Sequence, residues 1–575
     1  MRNYKDEYQL WLDSPALSEQ EWEELNAIAG DEKEIESRFF APLEFGTAGL
    51  RGTMKLGLHQ MNVHVIRHAT QAFANVIKAE GTEAMEKGIA ICFDCRNNSD
   101  VFAREAACVM AANGIHVRIF DSLRPTPELS FAVRYYGTTA GLNITASHNP
   151  KEYNGYKVYW SDGAQLPPQH AAAIAEQMSK IDIFRDFVSC EFDEAVADGR
   201  IELIGEETDE AYLECVLGQA INKDVVAKVA DKLKIVYTPF HGAGHKLVPE
   251  ALKRLGITQL YPVAEQMVLD GNFPTVDSPN PENPEGFYLA IDLAKKVGSN
   301  LIIGTDPDSD RIGVMVREGD EYSTITGNQL GVLLLDYVIT ARKAAGTLPE
   351  NAGALKSIVT TEMAKTVAES NGVHFEDTFT GFKFMAERVA EWEKAGSYEY
   401  IFAYEESYGY MMGDYVRDKD AVTASMMVAE MAAYYFDKGM NLKQAMESLY
   451  EKYGRYAEMT LNLVMPGLDG LQKMKNLMAQ LRSNPLNEIA GTEVFRIRDY
   501  SGGSVIVPEL GVVGETDLKG SNVLYFELAD GTSFIVRPSG TEPKIKIYIL
   551  AKGANKAECD EKIEKYSEFA QSLKG

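Results

Sequence analysis

A hydroxyl side chain that could carry a phosphoryl group is Ser147, in a polar loop that ends at Pro150 and follows the apolar run 140–144. The nucleophile elbow of serine hydrolases, Gly-x-Ser-x-Gly, is absent here, because Ala146 and His148 flank the serine. A serine that receives and returns a phosphoryl group beside a metal ion is a different kind of nucleophile. It needs a cation and a nearby base.

The candidate cation site is the loop 306–311, called the acidic loop below, which holds Asp306, Asp308 and Asp310. Carboxylates this close repel one another unless a cation neutralises them, and hard oxygen ligands favour magnesium or calcium. A calcium-binding EF-hand loop needs Gly at its sixth position and Glu at its twelfth, where this chain has Arg311 and Arg317. The EF-hand is therefore excluded, and the pattern predicts a site for a hard divalent cation. A solvated acidic turn is the alternative, and the flanking buried strand counts against it.

Two side chains compete for the role of general base. Lys157, at the start of the strand-like run 157–160, could accept the proton of a sugar hydroxyl if its surroundings lower its pKa. His148 is the other candidate, and its alternative role is a hydrogen bond to the backbone of its own loop. The residues alone leave both possibilities open.

Two loops could contact a sugar phosphate. Glu405 and Ser407 follow the strand-like run 400–403 and could bind vicinal hydroxyls, although an ordinary exposed strand end has the same composition. Arg51 lies in a glycine-rich loop that suits either close approach of an anion or a plain turn.

A phosphate cradle is predicted near the end of the chain. Arg537 offers a guanidinium, Ser539 and Thr541 offer hydroxyls, and Gly540 opens the backbone to an anion. This segment lies about 390 residues from Ser147, so only the fold can join them.

The composition excludes several classes of partner. A net charge of −28 argues against non-specific binding to nucleic acid or anionic membranes, because both need a cationic face. No apolar run approaches the roughly 20 residues of a membrane span, and the first residues lack the pattern of a signal peptide. The cysteines are too sparse for a disulfide framework, and Cys92 and Cys95 are expected to be reduced thiols near a strand end. We therefore predict a cytoplasmic protein, either a monomer or a homodimer.

Alternating helical and strand periods must position these loops. A helix near 65–80, a strand at 89–93, a helix near 101–112 and a strand at 116–120 predict a mostly parallel α/β sheet. In such sheets ligand loops lie beyond the carboxyl ends of strands, where Ser147 and the acidic loop are expected. The predicted domains are domain I at 1–206 with a helical preface at 1–40, domain II at 207–326, domain III at 327–453, and an α+β domain IV at 454–575.

Three local patterns make further predictions. Ser18 with Glu21 forms a capping box at a helix start. The segment 273–281 is too rich in proline for regular structure. The methionines Met426, Met427 and Met431 of a helix that ends near Gly439 are core residues rather than ligands.

These motifs together resemble the α-phosphohexomutase family, which contains phosphoglucomutases, phosphomannomutases and their relatives. The matching motifs occur in family order over nearly the whole chain, which makes the resemblance highly specific. They are 45–52, 145–150 with 154–157, 306–311, 405–407 and 537–543.

The resemblance implies three α/β domains with mixed sheets and a C-terminal α+β domain around a central cleft. Ser147 would be the phosphoserine and would bind one magnesium ion together with the three aspartates of the acidic loop. Lys157 would be the general base, with His148 as its competitor, and Arg51 and Arg311 would lie beside the phosphoserine. The substrate-binding residues would be Gly381, Lys383, Glu405, Ser407, Arg537, Ser539, Gly540 and Thr541.

The implied activity is that of an isomerase of carbohydrate metabolism. It would interconvert glucose 1-phosphate and glucose 6-phosphate through glucose 1,6-bisphosphate, which would also be the activator. Two departures from the hexose-specific pattern concern the sugar. Tyr408-Gly409-Tyr410 stands where those members carry Gly-His, and Lys546 stands where many have Arg. Both resemble the branch that includes phosphopentomutase, so phosphomannomutase and phosphopentomutase activities are the alternatives.

Two other classes are weighed against the mutase. A non-catalytic phosphosugar-binding protein would lack the nucleophile or a metal carboxylate, yet Ser147 and all three aspartates are present. A magnesium phosphatase would need water at the phosphoserine, whereas the predicted phosphate cradle suggests that the intermediate is retained.

Overall fold

The protein is described by a computed structural model that covers residues 3–46, 48–465, 470–539 and 544–574. It divides into two compact units. The first unit is Met1–Thr326 with Tyr408–Asn441, and the second unit is Gly327–Ser407 with Leu442–Gly575. The division into domains at 1–206, 207–326, 327–453 and 454–575 stays a prediction. No helix in the described ranges is long and apolar enough to cross a membrane.

The first sheet of the first unit has six strands in the order β1-β5-β4-β2-β3-β6. Strands β4, β2, β3 and β6 run parallel, whereas β5 is antiparallel to both β4 and β1. The strands are β1 (Leu50–Thr53), β2 (Ile89–Phe93), β3 (Val117–Phe120), β4 (Ala140–Ile144), β5 (Tyr153–Trp160) and β6 (Ile201–Ile204). The helices are α1 (Tyr4–Leu12), α2 (Glu19–Ala27), α3 (Glu32–Phe39), α4 (Val63–Ala79), α5 (Thr82–Lys87), α6 (Ser99–Ala112), α7 (Thr126–Tyr136), α8 (Pro168–Lys180) and α9 (Phe192–Ala197).

Local signals fix several of these helices. The predicted capping box is present, since the Ser18 hydroxyl accepts the Glu21 N–H and the Glu21 carboxylate accepts the Ser18 N–H. Asn62 caps α4 by accepting the Val65 N–H. Trp11 is fully buried in the core below this sheet, which ties the helical preface to the same chain.

The second sheet of the first unit has the order β11-β10-β9-β7-β8. Strands β9, β7 and β8 are parallel, and β10 returns antiparallel to β9. The elements are α10 (Glu206–Gly218), α11 (Lys223–Val229), β7 (Lys234–Thr238), α12 (Gly244–Leu255), β8 (Gln259–Pro262), α13 (Tyr288–Val297), β9 (Leu301–Thr305), β10 (Ile312–Glu318) and β11 (Glu321–Ile325). The Pro-rich segment 273–281 contains no helix or strand, as predicted.

The second unit begins with another parallel arrangement, in which β12 lies between β13 and β14 and pairs parallel with both. All three strands therefore present their carboxyl ends at one edge. The elements are α14 (Gly327–Ala345), β12 (Ala352–Ser357), α15 (Met363–Ser370), β13 (His374–Thr378), α16 (Phe382–Ala395) and β14 (Glu399–Glu405).

The chain returns to the first unit with β15 (Gly409–Met411) and α17 (Ala421–Asp437). Asp420 caps α17 by accepting the Thr423 N–H. The three methionines of α17 are at most 1% exposed, which confirms that they are core residues.

The rest of the second unit is an antiparallel sheet in the order β16-β23-β22-β21-β18-β19-β20, with the short β17 paired to β18. Three helices accompany these strands in the described residues, so the predicted α+β character is confirmed. The elements are α18 (Leu442–Tyr453), β16 (Arg455–Val464), α19 (Gly470–Ser483), β17 (Glu488–Ile489), β18 (Thr492–Asp499), β19 (Ser504–Val507), β20 (Gly511–Glu515), β21 (Leu524–Leu528), β22 (Ser533–Pro538), β23 (Lys544–Gly553) and α20 (Lys556–Ser572).

Candidate active site

The loop 145–150, called the serine loop below, begins where β4 ends. Ser147 has a φ of +53°, a left-handed conformation that costs a residue with a side chain roughly 1–3 kcal/mol. Its N–H donates to Thr145 Oγ1 at 2.9 Å. The serine is only 4% exposed. A strained residue that the surrounding structure holds in place is typical of a functional constraint.

The fold brings Ser147 against the acidic loop. Ser147 Oγ donates to Asp306 Oδ2 at 2.9 Å and lies 3.2 Å from His148 Nδ1. Asp306 follows β9 of the second sheet, so the carboxyl ends of β4 and β9 meet inside the first unit. The predicted nucleophile and the predicted metal loop are therefore neighbours.

The three aspartates form a cluster whose ligand atoms all lie within 4.8 Å of one another. Asp306 Oδ1 accepts the backbone N–H groups of Asp310 and Arg311, each at 3.0 Å. Asp308 Oδ1 and Asp310 Oδ1 are buried and accept no hydrogen bond from the described residues. Unmatched carboxylate oxygens in such a cluster fit a hard divalent cation such as Mg²⁺. The cluster is therefore able to hold a metal.

Lys157 supplies positive charge to the same cluster. Its Nζ donates to Asp308 Oδ2 at 2.7 Å and lies 3.5 Å from Asp310 Oδ2. Burial alone would raise the pKa of Asp308, but the Lys157 ammonium outweighs it and holds that pKa far below its usual range. Burial and the carboxylates of Asp308 and Asp310 raise the pKa of Asp306 well above its usual range. Contrary to the expectation that Lys157 starts a strand, it lies inside β5, opposite Asn143 of β4.

The two candidate bases differ in their electrostatic surroundings. Burial would lower the pKa of Lys157, but Asp308 and Asp310 more than offset it and the net pKa is raised. For His148, which is half-buried, burial and the Arg311 and Arg51 guanidiniums lower the pKa well below its usual range. A neutral imidazole beside Ser147 Oγ can accept a proton, whereas a charged ammonium first has to lose one.

Further cations surround the cluster. Arg51 lies on β1 and donates to Asn149 Oδ1 of the serine loop at 3.0 Å. Arg311 donates to Glu282 Oε1 at 2.8 Å, and its Nε lies 3.8 Å from Asp310 Oδ1. Both predicted arginines are thus in contact with the serine loop or the acidic loop.

Lys419 is a residue that the sequence reasoning missed. Its Nζ lies 3.0 Å from Asp310 Oδ2 and 3.6 Å from Asp418 Oδ1. The signal that could have found it is the alternating charge of 417–420, Arg-Asp-Lys-Asp.

Asp94 and Arg96 are two further buried residues that were missed. They follow the carboxyl end of β2, next to β4 in the sheet, and Arg96 Nη2 donates to the Ser147 carbonyl at 2.5 Å. The sequence reasoning considered this stretch only for the thiols of Cys92 and Cys95, which are free cysteines in the structure.

In the second unit, Glu405 ends β14. Its Oε1 accepts the N–H of Gly381 in a short hydrogen bond, and its Oε2 lies 3.5 Å from Ser407 Oγ. Gly381 has a φ of +121°, a backbone conformation in which a residue with a side chain would be strained. Lys383 is half-buried, burial lowers its pKa, and its ammonium lies 4.7 Å from the centre of the Phe384 ring. Four predicted sugar-binding residues thus gather at one strand edge of this unit.

The predicted phosphate cradle lies at the end of β22. Arg537 Nη1 contacts Tyr548 Oη at 3.5 Å, and the Ser539 N–H donates to the Lys544 carbonyl at 2.8 Å. Gly540 and Thr541 lie outside the described residues.

Comparison with known proteins agrees with this geometry. The family models described as phosphoglucomutase/phosphomannomutase, alpha/beta/alpha domains I, II and III, match residues 42–184, 210–319 and 326–453. Together these matches cover more than half of the chain. The chain belongs to the phosphoglucomutase/phosphomannomutase family. The predicted family and the predicted fold class are therefore confirmed.

Curated relatives of this family member match over most of their length. A phosphoglucomutase of Staphylococcus saprophyticus is 35% identical over 536 residues, which is 93% of this chain and 95% of that protein. One of Staphylococcus aureus is 36% identical over 534 residues, covering 91% and 92%. Among solved structures, a Paramecium phosphoglucomutase in an open form has a TM-score of 0.67 at 17% identity and covers 93% of this chain and 95% of that one. A Burkholderia thailandensis protein of the same family has a TM-score of 0.65 at 18% identity, covering 92% and 97%.

Proposed function

We propose that this protein interconverts glucose 1-phosphate and glucose 6-phosphate through a phosphoserine at Ser147. The observation that carries the proposal is the 2.9 Å contact between Ser147 Oγ and Asp306 within the aspartate cluster. Family membership and the curated relatives named phosphoglucomutase confirm the expected enzyme class, a phosphohexomutase and hence an isomerase.

In the proposed reaction, the phosphorus–Oγ bond of phosphorylated Ser147 breaks as the phosphorus binds a hydroxyl oxygen of the sugar phosphate. The hydroxyl proton passes through a base to the departing Ser147 Oγ, and the product is glucose 1,6-bisphosphate. This intermediate then turns around and returns its other phosphoryl group to Ser147. Ser147 and the three aspartates would hold one Mg²⁺, which when bound neutralises charge on the transferring group.

The base is assigned to Lys157 or His148. His148 lies directly beside Ser147 Oγ, and Lys157 donates a hydrogen bond to Asp308 of the aspartate cluster. A cation held by the aspartates would compete with Lys157 for Asp308, and the ammonium would then lose the contact that raises its pKa. We keep Lys157, the base that the family resemblance implies, as the first assignment, and His148, whose neutral imidazole needs no prior loss of a proton, as the alternative. Arg51 and Arg311 would stabilise the charge of the phosphoryl group.

Substrate binding is assigned to the second unit. Glu405 and Ser407 would bind sugar hydroxyls, with Gly381 and Lys383 beside them. Arg537 and Ser539, with Gly540 and Thr541, would hold the phosphate that does not react. The four proposed domains, at 1–206, 207–326, 327–453 and 454–575, would each contribute one of these loops.

Phosphopentomutase or phosphomannomutase activity is the second candidate. The supporting observation is Tyr408-Gly409-Tyr410, the departure from the hexose-specific pattern directly after Ser407, in which Tyr408 has a φ of +67°. A bulky residue in this conformation is strained, which indicates that the surrounding structure fixes the backbone of the loop at this position.

The deciding experiment is mutase turnover on a panel of sugar 1-phosphates. Glucose, mannose, glucosamine and ribose 1-phosphates are tested with Mg²⁺ and a trace of the matching bisphosphate, with Ser147→Ala as the blank. Highest kcat/KM on glucose 1-phosphate supports the proposal. Preference for ribose or mannose 1-phosphate supports the second candidate, and no turnover on any of them overturns the mutase.

We also propose a cytoplasmic location, a monomeric or homodimeric state and no nucleic-acid or membrane partner. The support is the sparse free cysteines and the net charge of −28. Glucose 1,6-bisphosphate is the proposed activator. If the intermediate leaves the enzyme before it returns a phosphoryl group, Ser147 stays unphosphorylated, and another molecule of the bisphosphate can phosphorylate it again.

A further inference from the structure

Ser147 adopts a left-handed backbone conformation. Its φ of +53° is unfavourable for a serine, and neighbouring residues must stabilise it. The segment on either side offers little regular structure, since 145–152 lies between β4 and β5. Within the serine loop the Asn149 N–H donates to the Ala146 carbonyl at 3.1 Å, and side chains supply the further stabilising groups.

Arg96 is the largest such group. Its Nη2 donates to the carbonyls of Ser147 and Asn149, each at 2.5 Å. Its Nη1 donates to the carbonyls of Pro150 and Tyr153 at 2.9 and 3.1 Å. One guanidinium therefore binds the backbone from the serine to the start of β5. The side chain is fully buried, so water does not compete for these bonds.

Asp94 and Thr145 complete the arrangement. Asp94 Oδ2 lies 3.3 Å from Arg96 Nε and accepts the Thr145 hydroxyl at 2.6 Å. Thr145 Oγ1 in turn accepts the N–H of Ser147 at 2.9 Å. The Thr145 hydroxyl thus links the serine N–H to the same carboxylate that orients Arg96. Asp94 is itself fixed by the Arg96 N–H at 2.9 Å and the Ser99 hydroxyl at 2.7 Å.

We infer that Arg96, Asp94 and Thr145 are positioning residues for phosphoryl transfer, which hold Ser147 in its strained conformation with Oγ aimed at Asp306. The inference rests on the proposed function, in which Ser147 carries the phosphoryl group. None of the three side chains needs to touch the sugar. They act through the backbone of the serine loop.

The decisive test uses Thr145, because its hydroxyl can be removed without changing the shape of the side chain. Thr145→Val loses both hydrogen bonds, and Thr145→Ser restores them. The enzyme is first phosphorylated with labelled glucose 1,6-bisphosphate, and transfer of the label to glucose 1-phosphate is then timed. We expect Thr145→Val to slow transfer roughly 10- to 100-fold, because small displacements of a reacting atom have effects of this size. KM for glucose 1-phosphate should stay within about twofold, and Thr145→Ser should restore the rate.

The matched control is Thr138→Val. Thr138 is also buried, precedes the opposite end of β4 and donates one hydrogen bond, to the Ala140 carbonyl at 2.9 Å. It makes no hydrogen bond to the serine loop among the described residues. Its loss should lower the unfolding temperature as Thr145→Val does and leave the transfer rate unchanged.

Arg96→Lys gives an independent reading. A lysine can donate to some of the carbonyls but lacks the planar fork, so transfer should be slowed at a KM within about twofold. The inference is overturned if Thr145→Val or Arg96→Lys transfers at the wild-type rate, or if Thr138→Val slows transfer as much. Failure of the proposed function looks different. In that case the wild-type enzyme itself takes no label on Ser147.

Discussion

The two units hold their candidate residues in different surroundings. In the first unit, Ser147, Lys157 and the three aspartates are at most 5% exposed, and they contact one another directly. In the second unit, Lys383, Ser407 and Arg537 are half-buried, and Arg537 contacts a tyrosine at the edge of hydrogen-bond range. The first set is held by contacts among its own members, whereas the second lies closer to solvent.

This difference separates reaction from binding. Groups that act on the transferring phosphoryl group must be fixed in advance, because their value lies in preorganisation. Groups that hold the substrate affect how much of it binds at a given concentration. We therefore expect variants of the first unit's cluster to lower kcat, and variants of the second unit's loops to raise KM.

The largest expected effect is that of Ser147→Ala. Without the hydroxyl no phosphoenzyme forms, so mutase turnover should fall roughly 10⁴-fold or more, while the fold persists. Turnover and labelling by glucose 1,6-bisphosphate are measured together with thermal unfolding. Ser299→Ala is the control, since Ser299 is a fully buried serine of the same unit whose hydroxyl bonds only backbone groups in the hydrogen bonds seen here. Appreciable turnover in Ser147→Ala would contradict the mechanism.

Asp308→Asn should have the next largest effect. It removes one carboxylate from the cluster and the partner of Lys157. Divalent metal affinity and kcat should each fall about 100-fold. Mn²⁺ binding, followed by electron paramagnetic resonance, gives a readout that does not depend on activity.

The control for that variant is Asp336→Asn in the second unit. Asp336 is also buried, and it accepts a hydrogen bond from Tyr453 Oη at 2.7 Å. Its replacement should leave Mn²⁺ binding unchanged. Wild-type Mn²⁺ affinity in Asp308→Asn would remove the acidic loop from the proposed metal site.

Arg537→Ala should shift the effect from kcat to KM. A charge-assisted hydrogen bond contributes about 1.5–3 kcal/mol, which corresponds to an increase in KM of roughly 10- to 150-fold. Steady-state kinetics on glucose 1-phosphate measure it. Arg496→Ala is the matched control, because Arg496 lies on β18 of the same sheet and pairs with Glu527. If KM stayed at the wild-type value, Arg537 would not hold the substrate phosphate.

Motif positions in the sequence predicted the site better than they predicted its surroundings. The motifs at Ser147 and 306–311 identified the nucleophile and the metal cluster, because residue type and the end of a buried strand were enough. Lys419 and Arg96 were missed because their roles depend on strand order. Nothing in the chain order shows that β2 lies beside β4, or that the residues before α17 come within 3.0 Å of Asp310.

The fold shows the same limit. Alternating periods predicted the α/β character, but Lys157 was placed at the start of a strand that in fact begins at Tyr153. The polar residues Tyr153 and Asn154 interrupted the apolar pattern. Asn154 is nevertheless fully buried, and its side-chain amide donates hydrogen bonds to the Asn97 carbonyl and to Ser99 Oγ. Satisfied polar groups in a core carry no periodic signal.

The smallest effect on activity is expected from Glu128→Gln, which tests whether an unmatched buried carboxyl always marks a site. Glu128, on α7, is fully buried, and burial and the neighbouring Asp209 raise its pKa well above its usual range. The folded protein therefore keeps a proton that the unfolded chain releases above about pH 4.3. Folding stability is lost as pH rises from that value through the raised pKa.

Glutamine is neutral throughout, so the variant escapes this loss. We expect nearly equal unfolding temperatures for wild type and Glu128→Gln at about pH 4, and an advantage of a few degrees for the variant at about pH 8, with kcat unchanged. Glu430→Gln is the control, since Glu430 is equally buried but accepts the Ile221 N–H at 3.0 Å, and its loss should destabilise the protein. A pH-independent difference would mean that Glu128 is ionised in the fold. A buried carboxylate whose oxygens accept no hydrogen bond from the described residues would then be tolerated outside the metal cluster, and this feature would no longer distinguish the aspartates.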